Sequence, residues 1–167
     1  EAERCLAQAT KTCPVDAEAR QHFAEALWQR GKPTDAIAQL EEAVKLDGEN
    51  GRHFIRLAEM QLAQGQVTPA RRSIDQAIDL DPKSPEAWAV RGQVVQRQNQ
   101  PHQAIADFNR ALSIDPGNQA ALLAISELYL THGQPQRALA HLQSLVDTYP
   151  DGGEPTRALY LLGLANT

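Results

Sequence analysis

Every 34 residues this chain repeats itself. Leu46, Leu80, Ile114 and Thr148 stand at that interval, and other columns fall into line with no gap between them. The complete units are 17–50, 51–84, 85–118 and 119–152. Position 20 of each unit is Ala36, Ala70, Ala104 and Ala138, and position 24 is Leu40, Ile74, Phe108 and Leu142. Position 27 holds Ala43, Ala77, Ala111 and Leu145, while position 15 holds Gly31, Gly65, Asn99 and Gly133. A period of this length means that one supersecondary unit recurs and buries its apolar face only by stacking on its neighbours.

Apolar residues inside each unit follow three- and four-residue steps. Phe54, Leu57, Ala58 and Leu62 make one such series and Ala70, Ile74, Ala77 and Ile78 the next, which predicts two amphipathic helices per unit. Between them lies Gly or Asn, the residues that tolerate the left-handed conformation closing a helix. Pro33, Pro69, Pro101 and Pro135 then fall near the first turn of the second helix, where a missing N–H costs nothing. Small residues at positions 20 and 27 let helices approach closely, and the bulky one at 24 fills the space between hairpins.

The pattern resembles the tetratricopeptide repeat (TPR). The unit 85–118 shows it best, with Trp88, Gly92, Ala104, Phe108, Ala111 and Pro116 at positions 4, 8, 20, 24, 27 and 32. Residues 1–16 match the second helix of a preceding unit through Ala2, Leu6, Ala9 and Pro14, and residues 156–167 match the first helix of a following one through Leu159, Leu162 and Gly163. Residues 153–155 form an insertion outside the register. Residues 1–167 are therefore expected to form a single array, of all-α class, in which antiparallel helix hairpins stack as a right-handed superhelical α-solenoid. The array is expected to be part of a longer one. Three departures, Arg20 at position 4, Arg91 at position 7 and Gly48 at position 32, are expected to weaken single packing contacts.

Composition narrows the function. With 16 Lys and Arg against 21 Asp and Glu the net charge is -5, the wrong sign for a nucleic-acid partner. No apolar run reaches the roughly 18 residues of a membrane span, so the segment is expected to be soluble, in cytoplasm or periplasm. Cys5 and Cys13 lack the spacing of a zinc or haem motif; eight residues apart across a helix, they would sit roughly 12 Å from each other, too far to bridge. No phosphate loop, His-Glu-x-x-His or G-x-S-x-G occurs. The histidines, His22, His53, His102, His132 and His141, fall at unrelated repeat positions and read as solvated surface residues. No catalytic residue, metal site or cofactor is expected.

What the resemblance implies about binding is more specific. In TPR proteins, positions 2, 5, 9, 12 and 13 of each first helix line a concave face. Here they include Gln21, Glu25, Trp28, Arg52, Ile55, Glu59, Leu62, Gln93, Arg97, Leu123, Glu127, Leu130 and, in the last partial unit, Tyr160. Position 9 forms a row of Glu25, Glu59, Gln93 and Glu127. Beside it stand apolar groups led by Trp28 and Tyr160, the residue types that dominate binding hot spots. The expectation is an interaction scaffold whose acidic, partly apolar groove takes a peptide or helix carrying apolar and basic residues. Family members that bind Hsp70/Hsp90-type carboxylate tails use a Lys/Asn/Lys/Arg clamp. The matching places hold Gln21, Glu25, Arg56, Glu86 and Val90, or Ile55, Glu59, Val90, Ala120 and Ala124, so that ligand is disfavoured. A regulatory or substrate-docking segment of a larger enzyme, and self-association through exposed terminal helices, are the alternative readings.

Overall fold

The computed structural model describes residues 16–149 and 156–166. Every regular element among them is an α-helix: α1 (Ala17–Gln29), α2 (Pro33–Leu46), α3 (Gly51–Ala63), α4 (Val67–Leu80), α5 (Pro85–Arg97), α6 (Pro101–Ile114), α7 (Gln119–Thr131), α8 (Pro135–Asp147) and α9 (Thr156–Ala165). The all-α repeat fold is therefore as expected, and each complete unit is one helical hairpin. Cys5, Cys13, the helix expected over 1–16 and the insertion at 153–155 lie outside the described residues. The described residues divide into two compact units, one ending at Pro82 and the other beginning at Lys83. In the first, α2 packs on α1 and α3, and α4 on α3; in the second, α6 packs on α5 and α7, and α8 and α9 on α7.

The same local chemistry sets each hairpin. Asp16, Asn50, Ser84 and Asn118 precede the first helices in extended backbone, and each side chain accepts a hydrogen bond from a backbone N–H of the first turn. Such a cap is worth about 1 kcal/mol. The turn that follows is repeated in detail: Gly31, Gly65, Asn99 and Gly133 have φ of 72, 72, 58 and 66°. Around each, the amide one residue later reaches back five residues, as Lys32 N does to Leu27 O at 3.0 Å and Gln100 N to Val95 O at 3.2 Å. These bonds satisfy carbonyls that the helix end would leave unpaired. Asn99 stands in for glycine because its short polar side chain tolerates φ > 0. Pro33, Pro101 and Pro135 open their helices, whereas Pro69 is the third residue of α4.

Packing inside the hairpins shows pairing between different columns of the repeat. Gly92 is glycine because an added Cβ would lie 2.5 Å from Phe108 Cε1, and Phe108 is fully buried. The largest position 24 residue thus faces the smallest position 8 residue. Position 23 is polar in every unit and always meets the first helix of its own hairpin, but through a different partner each time. Arg20 Nη1 donates to Gln39 Oε1 at 3.0 Å. Ser73 Oγ donates to Gln61 Oε1 at 2.9 Å, with both side chains buried. Arg91 donates through Nε and Nη2 to both oxygens of Asp107, at 3.0 and 2.5 Å. His141 stacks on Tyr129 with ring centroids 5.8 Å apart.

Two expectations are corrected by these contacts. Arg20 and Arg91 do not simply weaken the repeat, because each is matched by a polar partner at position 23. Arg91 also lies 4.2 Å over the Trp88 ring, so its guanidinium has an aromatic face as well as the Asp107 carboxylate. The histidines are not uniformly solvated: His53 is 2% exposed and His141 is half-buried, and burial pushes the pKa of both below the ordinary value.

Candidate functional site

In the first unit α1 and α3 border an open cleft of about 410 Å³, lined by Glu25, Trp28, Gln29, Arg56, Glu59, Met60 and Ala63. The 34-residue register brings Glu25 and Glu59, both at position 9, to the same rim. Trp28 leans on the cluster that includes Ala24, Leu27, Leu40, Leu57 and Met60. Core packing fixes its ring and leaves part of it facing the cleft. Trp28, Met60 and Ala63 supply an apolar floor, and Glu25, Arg56 and Glu59 a charged edge.

That edge differs from the expected acidic row. Arg56 Nη1 donates to Glu59 Oε2 at 2.8 Å, and Arg56 Nε lies 3.6 Å from Glu25 Oε1. The guanidinium is held above its ordinary pKa first by its hydrogen bond to Glu59, then by the nearby charges of Glu59 and Glu25. Two carboxylates against one guanidinium leave one negative charge in excess. Gln21 joins the same edge by donating from Nε2 to Glu25 Oε1 at 3.2 Å. Ile55 is half-buried and Arg52 exposed on α3, and neither lines the cleft. Leu62 is a correction: expected as an exposed apolar contact, it is only 6% exposed and belongs to the core. The sequence places Arg56 only at a carboxylate-clamp position and does not mark Met60 at all, because positions 6 and 10 are outside the columns 2, 5, 9, 12 and 13 taken to line the concave face. The Arg56/Glu59 spacing of three residues was the available signal.

In the second unit α5 carries Gln93, half-buried, and Arg97, exposed. On α7, Leu123 and Leu130 are packed against the core of that unit rather than standing clear of it. Glu127 faces α9, where Arg157 Nε is 2.5 Å from its Oε1. The approach is not along a hydrogen-bond direction, so this is a charge contact that leaves that buried oxygen without a donor. Position 9 glutamates in both units thus have an arginine beside them. Tyr160 is 65% exposed and, with Leu159 and Leu164, gives α9 an apolar exposed face. Among the described residues no cluster of three or more His, Cys, Asp or Glu side chains is arranged to hold a metal, and no helix is long and apolar enough to cross a membrane.

Two family models, both described as tetratricopeptide repeat, match residues 27–94 and 96–163 in one case and 1–50 in the other. The chain belongs to the tetratricopeptide repeat family. TPR folds are generally protein–protein interaction modules and TPR proteins typically non-enzymatic scaffolds. Solved structures similar to this TPR chain include pilF of Pseudomonas aeruginosa, 21% identical over 96% of this chain and 72% of that one, with a TM-score of 0.80. MamA from Desulfovibrio magneticus RS-1 is 16% identical over 89% of this chain and 85% of its own, with a TM-score of 0.75. YrrB, described as a TPR protein with an unusual peptide-binding site, is 17% identical over 98% of this chain and 92% of its own, at 0.69. At such identities the likeness is one of fold. No curated protein sequence gives a significant match.

Proposed function

We propose that this TPR chain is a scaffold that captures a peptide or helix of a partner protein, and that the α1/α3 cleft of its first unit is the seat. The partner's apolar side chain rests on Trp28, Met60 and Ala63, and a neighbouring Lys or Arg meets the excess negative charge of Glu25 and Glu59. The observation that carries this reading is the fixed, partly open Trp28 ring beside an edge of charged groups in one cleft. A large aromatic residue held rigid by packing loses little entropy when it binds, which is why such residues become anchors. The peptide-binding site in the description of YrrB is consistent with this use of the fold.

The test is a panel of capped peptides that pair Leu or Trp with Lys or Glu three residues away, measured by fluorescence anisotropy. Leu/Lys peptides should bind best. Ala63→Trp should block binding by filling the cleft without disturbing a buried side chain, since Ala63 is exposed. Trp28→Ala should weaken binding by about tenfold or more, the mark of a hot spot. Equal binding by the Lys and Glu series, or full binding by the Ala63→Trp protein, would refute the assignment.

A further inference from the structure

Glu25 is held in the cleft by a chain of hydrogen bonds that begins in the protein interior. His53, on α3, is buried, and its Nδ1 lies 2.6 Å from Gln21 Oε1. Gln21 Nε2 donates in turn to Glu25 Oε1 at 3.2 Å. A carbonyl oxygen only accepts, so Nδ1 of the ring must carry the proton. The sequence of bonds then has one direction: imidazole N–H to amide oxygen, amide N–H to carboxylate. Reversing the Gln21 amide would turn its oxygen onto the Glu25 carboxylate and leave two acceptors facing each other, a costly arrangement at a half-buried site.

A competing force acts on the ring. The charged groups facing His53 are Glu18 of α1 and Asp47 of the turn before α3, with Asp47 Oδ2 3.7 Å from Nε2. Asp47 favours a proton on Nε2. Glu25, acting through Gln21, favours it on Nδ1. The ring's tautomer therefore depends on whether a carboxylate stands at residue 25.

We propose that His53 and Gln21 are positioning residues for the cleft: the Nδ1–H tautomer of His53 fixes the Gln21 amide, which ties down Oε1 of Glu25 and leaves Oε2 to receive the basic group of a ligand. This rests on the cleft being the binding seat. Oε1 already has Gln21 Nε2 and, at 3.6 Å, Arg56 Nε, whereas Oε2 has only the exposed His22 at 3.7 Å among the contacts that define this edge. The relay thus selects for a cation at one oxygen and has no bearing on the apolar floor.

The experiment uses the chain of residues 1–167 and two fluorescent capped peptides, one with Leu and Lys three residues apart and a twin with norleucine in place of Lys. Long-range 1H–15N spectra should show His53 as the Nδ1–H tautomer at pH 7.5. Glu25→Gln should move it toward Nε2–H, because the new amide can accept or donate and Asp47 then decides. His53→Leu should weaken the Lys peptide about fivefold, the usual scale of one lost hydrogen bond, with the norleucine peptide unchanged. His53→Asn, whose amide N–H can occupy the place of Nδ1–H, should restore the Lys peptide to within about twofold of the original. An Nε2–H ring in the unaltered protein, no tautomer response to Glu25→Gln, or equal weakening of both peptides by His53→Leu would each overturn the relay. If neither peptide binds the unaltered protein, the proposed seat falls, and so does the ligand role of the relay; the tautomer response alone then decides whether the hydrogen-bond chain exists.

Discussion

Removing the carboxylate of Asp107 should cost this protein more than any surface charge does. Asp107 is 3% exposed and Arg91 has a side chain 19% exposed, and the two meet through paired hydrogen bonds across the α5/α6 hairpin. Asp107→Ala would leave a guanidinium in a largely dry site with two donors unmet. Breaking a buried pair from one side costs roughly 3–5 kcal/mol. The Trp88 ring, 4.2 Å from the guanidinium carbon, stays in place and retains an attraction of about 0.5–2 kcal/mol. A loss on the order of 3 kcal/mol is therefore expected, a large part of the roughly 5–15 kcal/mol that holds a domain folded. Replacing both partners, as Arg91→Leu with Asp107→Leu, removes the unpaired charge along with its partner and should be neutral or stabilising. The assay is a double-mutant cycle in urea, with hydrogen exchange on α5 and α6 to localise the change, because repeat arrays need not unfold as one unit. If Asp107→Ala changes stability by less than about 0.5 kcal/mol, as an exposed substitution would, the ion pair does not hold the hairpin and the reasoning fails.

Gly92→Ala should lower stability by about 1–3 kcal/mol through overpacking against Phe108, and adding Phe108→Leu should recover most of it in a thermal melt; an unchanged midpoint for the single variant would refute the close approach. Asn118→Ala should cost about 1 kcal/mol by removing the cap of α7, with fraying of residues 119–121 visible in hydrogen exchange. The pH dependence follows from buried His53 and half-buried His141. Their folded pKa values lie below the unfolded one near 6.5, so the unfolded chain takes up protons first as pH falls. Stability should be full above about pH 6.5 and decline below it until the folded values are passed. Urea midpoints at pH 7.5 and 5.5 check this, with His141→Phe expected to flatten the decline in the second unit; a midpoint that rises on acidification would contradict it.

Much of the fold was legible because a repeat states each structural requirement several times over. Helix starts 34 residues apart, the left-handed turn at Gly31 and its equivalents, and even the exception at Asn99 could be read from aligned columns. What escaped lies between columns. Arg91 looks like a defect at position 7 until Asp107 at position 23 is placed against it, and His53 looks like a surface residue until Gln21 is found facing it. Column reading averages over units, whereas the first of these pairs belongs to one unit alone and the second bridges two neighbouring units. The candidate site was half legible for the same reason. Glu25, Trp28 and Glu59 followed from the family's groove positions and line the cleft, but Arg56, which offsets the acidic row, sits in a column that other repeats use differently. Leu62 failed as a contact because burial depends on neighbouring helices that one helix's periodicity does not reveal.

The changing partner of position 23 has a consequence for how such an array could be rearranged. Because each hairpin carries its own internal lock, its two helices are not spare parts. A second helix bearing Asp107 would, if docked on α1 or α3, bring a carboxylate against Phe23 or Leu57 at the place where Arg91 belongs. Shuffling whole units preserves every lock, while a cut between the helices of one unit and a splice to another mismatches them. Chimeras joined at the turns between units should therefore fold, and those joined at Gly31, Gly65, Asn99 or Gly133 should fold only where the lock happens to match.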